Sequence, residues 1–175
     1  MFSLLVPPLL VAAFYGGSGW VRRHVDGLIQ GSVGDPLPAF ALADAAGATW
    51  TPERLRGKPA VLHFFRSRCH SCETEAADYR QFETALADGR AVVLHVCVDR
   101  VLDFPPELTA ATIAQKQFVQ PVLMADAAFV DAFHSAKWSN VTPVTYVIDS
   151  SSRIRLALRG GQTLAQLTAA LASVQ

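Results

Sequence analysis

The sequence has no excess of either charge: 15 Lys and Arg stand against 15 Asp and Glu in 175 residues. A nucleic-acid-binding protein needs a basic face, and here the aromatic residues are not interleaved with basic ones in any groove-like pattern. Cysteine is scarce, with only Cys69, Cys72 and Cys97. A structural disulfide framework needs more pairs and wider spacing. A zinc site needs about four ligands, as two such pairs or as one pair with two spaced histidines. His24, His63, His70, His95 and His134 lack that spacing. Charged residues are few, 17% against 51% hydrophobic, which argues against disorder and leaves ample material for a core. Internal repeats and low-complexity tracts are absent.

The amino terminus lacks charge altogether: Met1 to Val21 carries no charged side chain. Its most apolar part, Phe2 to Tyr15, would span about 21 Å as a helix, short of a hydrocarbon core of ~30 Å. Pro7 and Pro8 argue against an unbroken helix. Residues 1–21 are therefore expected as an export signal or a marginal membrane anchor, with Gly16-Gly17-Ser18-Gly19 as a processing site. No Lys or Arg precedes the run, whereas Arg22 and Arg23 follow it, which would hold the domain on the cytoplasmic side if the segment spans. The structural alternative is an apolar helix docked on the domain or on a partner. Residues 22–33 are expected as a linker, since Gly27, Gly31, Gly34, Pro36 and Pro38 punctuate the chain from about Asp26 to Pro38. The folded domain is then 34–175.

Within it, strands and helices alternate. Ala39 to Leu42 and Ala48 to Thr51 read as two short strands around the turn Ala45-Ala46-Gly47. Pro52 to Leu55 reads as one helical turn capped by Thr51. Pro59 to Phe65 is almost wholly apolar, as suits a strand covered on both faces. A helix is expected from His70 to Ala87, with Ala76, Tyr79, Phe82 and Leu86 on its core face. Ala91 to Val98 is a second buried strand. A helix over Pro106 to Phe118, a strand over Pro121 to Met124 and a helix capped by Asp126 follow. Val144 to Ile148 and Ile154 to Leu158 form a hairpin, and Thr163 caps a last helix. The fold class is α/β: a mixed central sheet flanked by helices on both faces.

Cys69-His70-Ser71-Cys72 falls where the first buried strand ends and a helix begins. Free N–H groups and the macrodipole at a helix start favour a thiolate. The end of the strand places it at the sheet edge where α/β sites usually lie. The two-residue gap lets the second thiol reach back within one turn. A thiolate attacks a partner disulfide, and the second thiol resolves the mixed disulfide.

On these residues the chain resembles the thioredoxin superfamily, and within it the TlpA/ResA-like, redoxin (AhpC/TSA-related) branch of envelope redox proteins. The resemblance is carried by Gly34 to Leu42, Leu55-Arg56-Gly57-Lys58-Pro59, Phe64 to Cys72 and Val141 to Asp149. It implies a thioredoxin-like fold and a thiol-disulfide oxidoreductase that exchanges disulfides with protein substrates. Cys69 would be the exposed nucleophile, Cys72 the buried resolving thiol, and Pro143 a cis-proline whose neighbour Thr142 pairs with an extended substrate chain. It also implies an upstream redox partner, a periplasmic place in the cell envelope, and no cofactor beyond the Cys69–Cys72 disulfide. His63 stands where thioredoxin carries a buried acid, so it is a candidate for proton transfer. Arg68 replaces the family's usual Trp. With Arg66 and His70 it offers positive charge that would stabilise a Cys69 thiolate and make the pair more oxidising. Cys97, in a Val-rich strand, is expected as a small hydrophobe, and His95 and His134 as structural or surface residues.

Two rival functions fare worse. A peroxiredoxin-like peroxidase would need Pro and Thr ahead of its cysteine, and the positions counted back from Cys69 hold Leu62 and Arg66. A Sco-like copper-binding assembly factor would need a wider cysteine spacing, and a His where this chain has Thr142-Pro143.

Overall fold

The apolar run after Pro59 becomes β3 (Ala60–Phe65), and all six of its residues are buried. It sits at the centre of a five-stranded sheet. β4 (Val92–Cys97) and then β5 (Val122–Met124) lie on one side, and β6 (Val144–Ile148) and then β7 (Ile154–Arg159) on the other. β3, β4 and β5 run parallel to one another, whereas β6 is antiparallel to β3 and β7 is antiparallel to β6, which makes the sheet mixed. The computed structural model describes residues 8–174, with side chains from Gly19 onwards. Its remaining elements are α1 (Pro8–Gln30), β1 (Leu42–Ala43), β2 (Thr49–Trp50), α2 (His70–Thr74), α3 (Ala76–Ala85), α4 (Pro106–Lys116), α5 (Ala127–Asp131) and α6 (Leu164–Ala172).

Alternation along the strands divides the core. Leu62 and Phe64 of β3 face one side, with Leu94 of β4, Ile29 of α1 and Phe129 of α5. Val61 and Val93 face the other, against Tyr79 and Phe82 of α3 and Leu167 of α6. Side chains of this size contribute about 1.5–3 kcal/mol each when fully buried. The capping residues behave unequally. Asp126 accepts from Phe129 N, and Thr163 forms a full capping box with Gln166, but Thr51 makes no side-chain cap.

Two expectations change. The segment 22–33 is not a linker but is helical as far as Gln30. Val25 and Ile29, one turn apart, are buried in the core, Gln30 Nε2 donates to the Ala157 carbonyl, and Asp26 pairs with Arg159 at 2.8 Å. Docking along β7 outweighs the helix-weakening effect of Gly27. Residues 1–7 of the expected signal or anchor lie outside the described residues. Among the described residues no helix is long and apolar enough to cross a membrane. The single helix expected over 70–87 is interrupted at Glu75, which keeps helical dihedrals (φ −78, ψ −13) while its side chain is buried.

Candidate functional site

After Phe65 the chain leaves the sheet through Arg66, Ser67 and Arg68, and Arg68 adopts a left-handed backbone (φ 52) that a non-glycine residue seldom takes. Two side chains hold this turn. Asp99 is fully buried; it accepts from Ser67 N at 2.7 Å, Ser67 Oγ at 2.5 Å and Thr109 Oγ1 at 2.7 Å. Arg66 donates to the carbonyls of Ser67 (2.9 Å), Arg68 (2.8 Å) and Asn140 (3.3 Å), tying the loop before Cys69 to the loop before Pro143.

Cys69 is the N-cap of α2, and its sulfur accepts from Cys72 N at 3.2 Å. Cys69 and Cys72 form a disulfide. Cys69 keeps 5% of its surface and Cys72 none, so the cysteine expected to be exposed opens only a narrow face. The Thr142–Pro143 peptide is cis. The hydroxyl of Thr142 lies 3.5 Å from Cys69 Sγ and its carbonyl oxygen 3.7 Å. Four of the residues singled out in the sequence, Cys69, Cys72, Thr142 and Pro143, thus converge from two distant segments.

The suggested cations disperse. Arg66 is engaged by loop carbonyls, and Arg68 is exposed, with its guanidinium carbon 5.9 Å from the centroid of the Phe104 ring. His70 is exposed, and among the described residues neither it nor Arg68 hydrogen-bonds to a cysteine sulfur.

Beneath the pair lies a row of four buried side chains. Glu75 Oε1 is 2.8 Å from His63 Nε2, His63 Nδ1 is 2.9 Å from His95 Nδ1, and His95 Nε2 is 2.5 Å from Glu83 Oε1. The outer carboxylate oxygens accept backbone N–H groups, Gln162 on Glu75 and Val119 on Glu83, while Gln120 N also reaches Glu83 Oε1. Tyr79 stacks on His63 at 4.0 Å, and Phe118 on His95 at 3.6 Å. Lys116, 3% exposed, donates to the Cys72 carbonyl at 2.5 Å. Burial lowers the pKa of Lys116, pushes that of His95 down to about 4, and drives that of Tyr79 up. For Glu83 burial acts upward, but hydrogen bonds from His95, Val119 and Gln120 outweigh it and the net shift is down.

The expectation for His95 is a structural or surface residue, and it is fully buried in this row; no motif in the sequence points to Glu75, Glu83, Asp99 or Lys116. One signal for the row was present: Val61-Leu62-His63 and Val93-Leu94-His95 repeat a tripeptide in adjacent buried strands, and parallel pairing sets His63 opposite His95. Cys97 packs with Phe65, Cys69 and Cys72, and burial pushes its thiol up to about 12. Burial likewise lowers His134, 3.1 Å from the Tyr146 hydroxyl, to about 4. An apolar groove of about 740 Å³ opens beside this cluster, with Phe104, Ile113 and Met124 in its wall.

The AhpC/TSA family model matches residues 33–157. The chain belongs to that family. A curated relative, the thiol-disulfide oxidoreductase YkuV of Bacillus subtilis, is 29% identical over 119 residues, covering 67% of this chain and 78% of YkuV. Solved structures of low identity share the fold of this AhpC/TSA protein. A thioredoxin-family thiol:disulfide interchange protein from Chlorobium tepidum superposes with a TM-score of 0.66 at 20% identity, covering 79% of this chain and 94% of that one. A secreted Mycobacterium tuberculosis disulfide oxidoreductase, homologous to E. coli DsbE, superposes with 0.63 at 18% identity, covering 77% and 96%. The thioredoxin-like fold expected from the sequence is the fold of the protein.

Proposed function

We propose that Cys69 opens and Cys72 closes the exchange cycle of this thiol-disulfide oxidoreductase, with proteins as its substrates. The supporting observation is the convergence of a helix-capping disulfide with the Thr142–Pro143 segment, whose carbonyl and hydroxyl flank Cys69 Sγ. In the reductive direction the Cys69 thiolate attacks a substrate disulfide, and one substrate sulfur leaves as thiolate and takes up a proton. The Cys72 thiol then loses its proton to the buried residues near His63. Its sulfur displaces the second substrate sulfur and closes the Cys69–Cys72 bond. Two electrons pass to the substrate, and the reverse sequence oxidises a substrate dithiol. No redox group beyond this disulfide takes part.

Thr142 presents backbone beside Cys69, where an extended partner chain pairs with it while its sulfur is in line for attack. The bonds that Arg66 makes to three loop carbonyls support a role in positioning the two loops rather than in stabilising the thiolate. We place the protein in the cell envelope, with residues 1–21 as the export or anchoring segment and an upstream thiol protein resetting the pair. The charge-free amino terminus and the secreted mycobacterial neighbour support this.

The Cys72→Ser variant tests the cycle: it should hold a peptide substrate in a mixed disulfide on Cys69, detectable by mass spectrometry. An adduct on Cys97, or none, would refute the assignment.

A further inference from the structure

Three contacts join Glu75, His63, His95 and Glu83, at 2.8, 2.9 and 2.5 Å. At such distances two bare lone pairs do not face each other, so each contact holds a proton. Two neutral imidazoles have one N–H each and supply only two. With the cysteines in a disulfide, the row therefore carries one proton more than two neutral histidines and two carboxylates. Direct donor–acceptor contacts leave no room for an ion among them, and among the described residues no His, Cys, Asp or Glu cluster has metal-holding geometry.

The position of the extra proton follows from the surroundings. Burial keeps His95 neutral near pH 7, and Glu83 is ionised, holding two further N–H groups from Val119 and Gln120. His95 then gives its single N–H, on Nε2, to Glu83, and its Nδ1 lone pair faces His63. The Glu83 carboxylate fixes this tautomer. His63 Nδ1 donates to His95, and the third proton lies between His63 Nε2 and Glu75 Oε1; the Gln162 N–H that Glu75 Oε2 accepts favours the carboxylate, which puts that proton on His63. The other groups facing His63 do not supply this proton: Tyr79 is held as a neutral phenol hydrogen-bonded to Thr145, Phe118 is apolar, and Lys116 is directed to the Cys72 carbonyl. The Cys97 thiol stays protonated.

We propose that Glu83 and His95 are positioning residues that hold His63 doubly protonated in the disulfide state, so that the Glu75–His63 pair stores the proton exchanged with Cys72. This rests on the exchange cycle above. Glu75 stands three residues after Cys72, on the same helical side, and Phe65, which stacks near His63, packs with Cys72. When the disulfide forms, Cys72 gives its proton to the pair as its sulfur bonds to Cys69. When the disulfide is reduced, two electrons enter and the Cys72 thiolate takes the proton back. The dithiol state leaves His63 neutral.

Imidazole nitrogen NMR on the full-length protein tests this in the oxidised and the dithiothreitol-reduced states near pH 7. Both His63 nitrogens should carry protons in the disulfide form and only one in the dithiol form, with His95 a neutral Nε2–H tautomer in both. An unchanged His63 refutes the proposal. Glu83→Gln removes the counter-charge, so His63 should be neutral in both states. Reduction of the variant then takes one more proton from solvent. Its equilibrium constant should change a further tenfold per pH unit, about 30 mV for this two-electron couple. Parallel pH profiles for variant and wild type would overturn the role of Glu83. Reduction by dithiothreitol reads only the protein's own pair, so the proposal and the substrate cycle can fail separately.

Discussion

Asp99 offers the sharpest test of how the reactive loop is held. Its carboxylate is fully buried and receives the Ser67 amide and two hydroxyls. In Asp99→Ala the hydroxyls can turn elsewhere: Ser67 Oγ already lies 2.7 Å from Thr112 Oγ1, and Thr109 Oγ1 lies 3.4 Å from the Pro105 carbonyl. The Ser67 amide has no such alternative. An unpaired buried N–H costs about 1–3 kcal/mol, and the lost charge-assisted bonds add roughly 1 more. The variant should therefore be destabilised by about 2–4 kcal/mol in urea unfolding at pH 7, with an unchanged m-value. Asp99→Asn, which keeps an acceptor for the amide, should lose about half as much. Because the same bonds hold the left-handed Arg68 turn, mixed-disulfide formation by Cys69 should slow about tenfold in the alanine variant, on the scale that misplacement of a reacting group produces. A loss below about 1 kcal/mol would mean that Asp99 does not hold the Ser67 amide, and the reasoning would fail.

Ile29→Ala should cost about 2–4 kcal/mol by the same assay, because Ile29 is 1% exposed in the core; a neutral result would mean that α1 does not dock. In the reduced native protein, a thiol reagent should titrate Cys69 first and Cys97 only after denaturant is added, since Cys69 alone of the three cysteines keeps an exposed edge, while Cys97 is fully buried and its thiol is pushed up to about 12. His134 has a folded pKa of about 4, below its unfolded value of 6.5. The unfolded state therefore binds the extra proton: stability is full above pH 6.5 and falls as pH drops towards 4. With allowance for partial exposure, His134→Phe should recover about 2 kcal/mol of that acid loss, seen as a flatter profile of unfolding free energy against pH. A profile of unchanged slope would show that His134 does not titrate in this way.

The order of elements was legible because it depends on local periodicity. The run from Pro59 to Phe65, the core face of Tyr79, Phe82 and Leu86, and the hairpin around Asp149 to Ser152 each declare themselves within a few residues. The cysteine pair was legible for the same reason, since its spacing and its place at a strand end are local. The helical state of residues 22–30 was not. Gly27 and the glycines beyond it speak for a linker. Only the surface of β7 offers Val25 and Ile29 a place to be buried.

The site divides along the same line. By itself the sequence determined that a reactive pair caps a helix and that Thr142-Pro143 opens a later strand. The tertiary structure alone decided which charges matter. Arg66, Arg68 and His70 are near Cys69 in sequence, but the fold engages the first with carbonyls and leaves the others at the surface. Glu83 is 12 residues from His95 and 20 from His63 in the sequence, yet parallel pairing of β3 with β4 and the packing of α3 across them put all three in one buried row. Burial is a property of the assembled layers. Protonation follows burial, so the chemistry of these side chains appears only when the sheet and the helix that covers it are in place.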